Sequence, residues 1–248
     1  MKYDIFIPSA PKDQKNLKLV IKQVYQNLDF NRIYVCSPNR IKNKITDSKI
    51  KYILDDDVFS YNKRKISFRP NWTYQQVLKM FFDECESDYF LSLDCDSFIL
   101  KSMDWFEEGK PIWRYGWDQN HEPYFKFNKR FFNLDKTLPH TGIGDMGFFD
   151  KRLCKKFLEF CGASSKSEFL DLFCDKIDAS CQFSEFEAYA NYVNEYHKGS
   201  YIFKQVKQAN EGRRLDSGQS WKDGEIERLI TNLKGSDIEV LQAHSWKI

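Results

Sequence analysis

What the chain lacks narrows its function first. In 248 residues no apolar run approaches the roughly 20 needed to span a bilayer. There is no glycine-rich turn of the dinucleotide-binding type and no Walker sequence, so a bound nucleotide would need another means of neutralising its phosphates. A charge excess is missing too. Lys plus Arg number 38 against 36 Asp plus Glu, a net charge of +2, which argues against nucleic acid as a partner. Tight cysteine pairs are absent. The seven cysteines are an odd number scattered through apolar segments, as expected of free thiols in a reducing, cytoplasmic setting. Cys154/Cys161 and Cys174/Cys181 are spaced more widely than zinc pairs usually are. No repeat, low-complexity tract or linker divides the chain, so residues 1–248 are read as one domain. The first residues, Met1 to Pro8, carry one base and an immediate acid and read as a strand, not as a signal peptide.

What is present is a β-α-β rhythm. Tyr3–Pro8, Arg32–Cys36, Lys51–Leu54 and Tyr89–Leu93 are expected strands. Leu17, Val20, Ile21, Val24 and Leu28 recur at helical spacing, as do Val77, Leu78, Phe81 and Phe82 after Pro70. The alternation predicts an α/β fold with a parallel, doubly wound sheet. Beyond Leu100 the order changes. Pro111–Tyr115 and Met146–Phe149 read as strands separated by an aromatic, polar loop. Helices are expected over 151–161, 167–177 and 184–196, then a strand near 201–206. A polar, mobile loop over 210–224, a helix over 225–233 and a strand at 238–242 complete the pattern. Aromatic residues make up 17% of the chain. Most fill the core, and the Trp113–Phe132 loop is a candidate to present rings to a sugar.

Asp94 and Asp96 follow the fourth strand. Ligands of open parallel sheets bind outside the carboxyl ends of the strands. In extended backbone two residues two apart point the same way. Paired carboxylates raise each other's cost of ionisation, and a hard divalent cation, Mg²⁺ or Mn²⁺, removes it. Such an ion would replace the missing glycine cradle and act as a Lewis acid on a departing diphosphate. The competing reading is an ordinary strand-end turn, where Asp is favoured.

The run Tyr89-Phe90-Leu91-Ser92-Leu93-Asp94-Cys95-Asp96-Ser97 resembles the Asp-x-Asp strand of GT-A glycosyltransferases. Ile5-Phe6-Ile7-Pro8-Ser9, Asp55-Asp56-Asp57, Trp72-Thr73-Tyr74-Gln75-Gln76 and Ala243-His244-Ser245-Trp246-Lys247 extend the resemblance over most of the chain. It implies a Rossmann-like, mostly parallel central sheet flanked by helices, with a mixed smaller sheet in the C-terminal half. Residues 1–100 would form the nucleotide-binding half and 101–248 the acceptor half. The activity implied is Mn²⁺- or Mg²⁺-dependent transfer from a nucleotide-sugar, by default a UDP-sugar, to a hydroxyl acceptor such as a glycan. Asp96 would be the direct metal ligand, with His244 completing the shell; Asp94 would join it or meet ribose or metal-bound water. Donor contacts would come from Pro8, Ser9, Asp55, Asp57, Arg69, Gln76, Asp94 and Lys247.

A base for the acceptor is sought at a helix start in the second half. Ser184 and Glu187 fit a capping box, which leaves Glu185 as the preferred base and Glu187 as a lesser one; a solvated first-turn Glu is the rival reading. Asp145, in the Gly-dense stretch 140–147, is either an alternative base or a turn residue, and its glycines are expected to supply positive φ. His244 is either structural or a ligand, and Lys247 either a solvated charge or a diphosphate contact. Three other readings remain open: a haloacid-dehalogenase-type phosphohydrolase, a sugar nucleotidyltransferase, and an inactive nucleotide-sugar-binding module.

Overall fold

The computed structural model describes residues 1–41, 44–116, 121–144, 146–214 and 221–246. Along the chain run β1 (Asp4–Pro8), α1 (Gln14–Asn27), β2 (Ile33–Ser37), β3 (Ile50–Leu54), α2 (Asp55–Val58), α3 (Pro70–Met80), β4 (Tyr89–Leu93), β5 (Ser97–Ile99), β6 (Phe106–Glu107) and β7 (Lys110–Tyr115). Then follow α4 (Glu122–Phe132), β8 (Met146–Asp150), α5 (Lys151–Phe160), α6 (Lys166–Asp171), α7 (Glu185–Tyr196), β9 (Ile202–Gln205), β10 (Gln208–Arg214), α8 (Glu225–Leu233) and β11 (Val240–Trp246).

The central sheet has the order β3-β2-β1-β4-β8. Its first four strands are parallel and β8 is antiparallel to β4. This is the mixed α/β architecture the sequence predicts. Two smaller sheets, β10-β11-β5 and β6-β7-β9, supply the mixed part of the C-terminal half.

Period-2 alternation divides the core between the two faces of the sheet. Phe6, Tyr34, Phe90 and Phe149 face one side, with α3 and the helices α4 to α7. Ile5, Ile33, Val35, Leu91, Leu93 and Phe148 face the other, with α1, α8, β5 and β11. Burying both faces makes the strands near-continuous apolar runs, the pattern of a covered parallel sheet.

Two expected loops are ordered elements. The aromatic segment before β8 folds as α4. Pro123 sits in its first turn, Phe127 and Phe132 are buried, and Asn133 ends it in the left-handed region at φ 49°. Trp113 is also core, 1% exposed, and donates its indole N–H to the Gly142 carbonyl at 2.8 Å. Among the described residues only Tyr25, Phe160 and Tyr196 are exposed large aromatics, so ring content reflects packing. The expected mobile loop over 210–224 is, as far as Arg214, the parallel edge strand β10. Its polar sequence suits an edge, where charge discourages further pairing.

All seven cysteines are free and all but Cys161 are buried. Among the described residues no helix is long and apolar enough to cross a membrane.

The glycines of the 142–147 stretch act by close approach, since none of Gly142, Gly144 and Gly147 has positive φ. A Cβ on Gly144 would lie 2.3 Å from the Arg114 carbonyl oxygen, which is backbone and cannot swing away. Gly144→Ala should therefore cost about 1–3 kcal/mol, measurable as a lowered urea midpoint at unchanged m-value.

Candidate functional site

The site is built on the turn after β4. Leu93 ends the strand, and the Ser97 N–H closes the turn on the Asp94 carbonyl at 3.0 Å. Asp94, Cys95 and Asp96 therefore lie in a turn and not in the extended backbone expected. Cys95 points inward, 4% exposed, with its Sγ 3.6 Å from Ser9 Oγ and 3.5 Å from the Asp13 carbonyl oxygen. That thiol ties the turn to the end of β1 and the start of α1. The two flanking acids remain at the rim, their side chains 26% and 18% exposed.

β11 reaches the same turn. It runs to Trp246, further than the apolar pattern shows, because β10 pairs along it with Gly212 opposite His244. The Ala243 N–H donates to the Asp96 carbonyl at 2.8 Å. This backbone bond sets the neighbouring His244 Nδ1 3.4 Å from Asp96 Oδ2.

Lys79, which the sequence reading passed over, joins Asp94 to Glu185. It lies on α3, 3% exposed, with Nζ 3.1 Å from Asp94 Oδ1 and 2.5 Å from Glu185 Oε1. Nζ also sits 4.5 Å from the centre of the Phe186 ring. The available signal was a lysine inside the apolar helical run Val77-Leu78-Lys79-Met80-Phe81. Gln76, one turn earlier on α3, donates its amide to the Glu185 carboxylate in the orientation that satisfies both groups. Glu185 is wholly buried, so the solvated first-turn reading fails. A base must come within hydrogen-bonding reach of its proton. Here the carboxylate is enclosed by Lys79 and Gln76 and, in this arrangement, anchors Lys79.

The electrostatics follow from this burial. Desolvation raises the Asp94 carboxyl above its usual range, opposed by Lys79 and reinforced by Asp96. Desolvation alone would lower the Lys79 ammonium, but Asp94 and Glu185 together hold it above its usual value. Asp13, also overlooked in the sequence, is raised to about 6 by burial, with Asp96 and Asp94 adding to the effect. Burial outweighs Lys79 at Glu185 and raises it from 4.5 to about 7. A raised folded pKa means that this group's stability is fully present below pH 4.5 and is lost as pH rises through about 7. Wild type should therefore lose about 3 kcal/mol relative to Glu185→Gln between those limits. Urea titrations of both proteins across that range measure the difference; parallel curves would refute it.

Glu187 does not complete the capping box. Ser184 Oγ accepts from the Glu187 N–H at 3.4 Å, but the Glu187 carboxylate turns to the 141–142 loop. It accepts from the Gly142 N–H at 2.7 Å, Thr141 Oγ1 at 3.1 Å and Asn191 Nδ2 at 2.8 Å. Three donors occupy it, and in this arrangement it anchors the loop.

Other expected contacts are spread more widely. Pro8 and Ser9 end β1 beside the acidic turn and are buried. Asp55 follows β3, three strand spacings or about 14 Å from β4, and binds Lys63 Nζ at 2.9 Å. Asp57 is exposed. Arg69 precedes α3 at φ 45°, its guanidinium 4.3 Å from the centre of the Trp72 ring. Asp145 and Lys247 lie outside the described residues.

Among the described residues, no three His, Cys, Asp or Glu side chains form a ready-made cation cage. The Asp96–His244 pair still fits one ion. Two ligands at right angles on an ion with bonds of about 2.1 Å stand about 3 Å apart, close to the 3.4 Å observed. Mg²⁺-type sites commonly take only one or two protein carboxylates and fill the remainder with substrate phosphates and water.

Two solved structures resemble the chain at low similarity. An active-site mutant of LgtC matches with a TM-score of 0.49 and 14% identity, over 97% of this chain and 86% of that one. The galactosyltransferase LgtC in complex with donor and acceptor sugar analogues matches with a TM-score of 0.42 and 14% identity, over the same shares. No curated protein matches. A family model matches residues 19–229, most of the chain. The chain thus belongs to DUF6492, a family of unknown function.

Proposed function

We propose that this protein is a GT-A-type glycosyltransferase that moves a sugar from a nucleotide diphosphate, by preference a UDP-sugar, to a hydroxyl of a glycan or similar acceptor. The observation that carries the reading is the Asp96–His244 pair, facing one point beside Asp94 at the carboxyl end of β4. That is where an open parallel sheet takes its ligand.

Mn²⁺ or Mg²⁺ held by Asp96 and His244 would supply the positive charge that a departing diphosphate needs, which no glycine-rich loop provides here. The protein's own groups do the rest. Lys79 fixes Asp94, donating to Oδ1 at 3.1 Å and Oδ2 at 3.4 Å, and holds the carboxylate where its remaining lone pairs would accept from a ribose hydroxyl. Glu185 and Gln76 hold Lys79 from behind. Cys95 and Ser9 fix the turn against the end of β1, where the nucleoside would lie. Glu187 holds the 141–142 loop in place.

The test is a panel of nucleotide-sugars with Mn²⁺, read by release of the nucleoside diphosphate with and without acceptor sugars. Cation-dependent release from one donor supports the proposal. Pyrophosphate released from a nucleoside triphosphate would indicate a nucleotidyltransferase, and an acyl-phosphate on Asp94 a phosphohydrolase; either result would sink it.

A further inference from the structure

At the amino end of β4, away from the acidic turn, the protein holds a cavity of about 820 Å³. Phe90, at its back, and Asp94 are four residues apart, about 13 Å along a strand. The volume lies within the range that takes a small ligand. Its apolar lining is the half-buried Phe59 and Leu158 with the edge of Phe81, 5% exposed, while Phe82 and Phe90 lie closed off behind them. Its mouth is cationic, lined by Lys151, Arg152, Lys155 and Lys166 against the acids Asp83 and Glu159. Two of the cations are neutralised, Lys166 by Asp83 and Arg152 by Asp150. Lys151 Nζ donates to the Cys85 carbonyl at 2.8 Å and pairs with no carboxylate among the described residues. Lys155 is exposed and has no hydrogen-bond or ion-pair partner among the described residues. With Arg152 and Lys166 paired, Lys151 and Lys155 stand against the single acid Glu159, so the mouth keeps a net positive charge; an apolar chamber beneath it is complementary to an apolar chain with an anionic head. A neutral sugar or a nucleotide would leave one half of this site unmatched.

We propose that this cavity binds a single-chain anionic amphiphile, its tail against Phe59, Phe81 and Leu158 and its carboxylate or phosphate between Lys151 and Lys155. The site is independent of the sugar-transfer reading.

Calorimetric titration of the full chain with dodecanoate and dodecyl phosphate, both below their micelle concentrations, tests it. One saturable site per chain is expected for each. Lys155→Glu, on the exposed rim, should weaken both by about tenfold. Leu158→Trp, which fills the chamber, should abolish both. Should Leu158→Trp fail to fold, Lys155→Glu decides alone. Equal binding of dodecyl maltoside would show that charge is not read. Full displacement by equimolar inorganic phosphate would reduce the site to a headgroup patch. Binding to anionic vesicles that Leu158→Trp leaves intact would mark a surface contact with a bilayer. Any of these three results, or no saturable binding, overturns the proposal.

Discussion

Lys79→Met should lower stability by about 3–5 kcal/mol at pH 8, the cost of leaving buried charge without its partner. For a chain of this size that corresponds to a melting temperature lower by about 6–20 °C. The reason is that Lys79 serves two carboxylates at once, at 3.1 Å and 2.5 Å, and one of them has no solvent access. Methionine preserves the apolar stem but removes the cation, and with it the ammonium's contact over the Phe186 ring. Glu185 then escapes only by remaining protonated. The deficit should therefore be smaller at pH 5.5, below the pKa of about 7 that Glu185 has even with Lys79 present, and larger at pH 8. The double variant Lys79→Met/Glu185→Gln removes both the cation and the enclosed anion, and should recover most of the loss. Melting curves of the four proteins form a double-mutant cycle. A single variant within about 1 kcal/mol of wild type would show that Lys79 carries no charge of consequence there.

Much of the sheet could be read in the sequence because its signal is local. β4 and α8 begin and end where apolar patterning puts them, since a strand buried on both faces and an amphipathic helix each write their period into adjacent residues. α4 was missed because its aromatic residues suggested a surface loop, although Pro123 and Asn133 marked its two ends. β10 was missed because an edge strand owes its existence to its partner; the sequence Gln-Ala-Asn-Glu-Gly-Arg-Arg has no apolar alternation to show. The site divides in the same way. Asp94 and Asp96 stand out as a local pattern on the strand they follow. Lys79, Asp13 and the loop-holding role of Glu187 depend on contacts made 15 to 106 residues away, which no local window contains. His244 lies between these cases: its type was visible in the sequence, but its neighbour was fixed by the backbone bond from Ala243 to Asp96.

Asp96→Ala should abolish cation-dependent nucleotide binding while leaving the fold intact. Asp96 is at the rim, its side chain 18% exposed, and its carbonyl, which receives the Ala243 N–H, survives the substitution. Truncation therefore removes the carboxylate without loosening β11. In wild type, the matching nucleoside diphosphate with Mn²⁺ at 100 times its dissociation constant should stabilise the protein by about 2.7 kcal/mol. That is a rise of about 5–11 °C in melting temperature for a chain of this length. In Asp96→Ala the rise should vanish with Mn²⁺ and remain absent without it, at an unliganded midpoint within about 2 °C of wild type. Asp94→Asn offers the contrast. An amide retains an acceptor for ribose but loses its charge pairing with Lys79, so the unliganded midpoint should fall while part of the Mn²⁺-dependent rise persists. If the two variants behave alike, Asp94 is a direct ligand and the division of labour drawn from Lys79 is wrong. If neither affects a nucleotide shift that wild type shows, the diphosphate binds somewhere other than the end of β4.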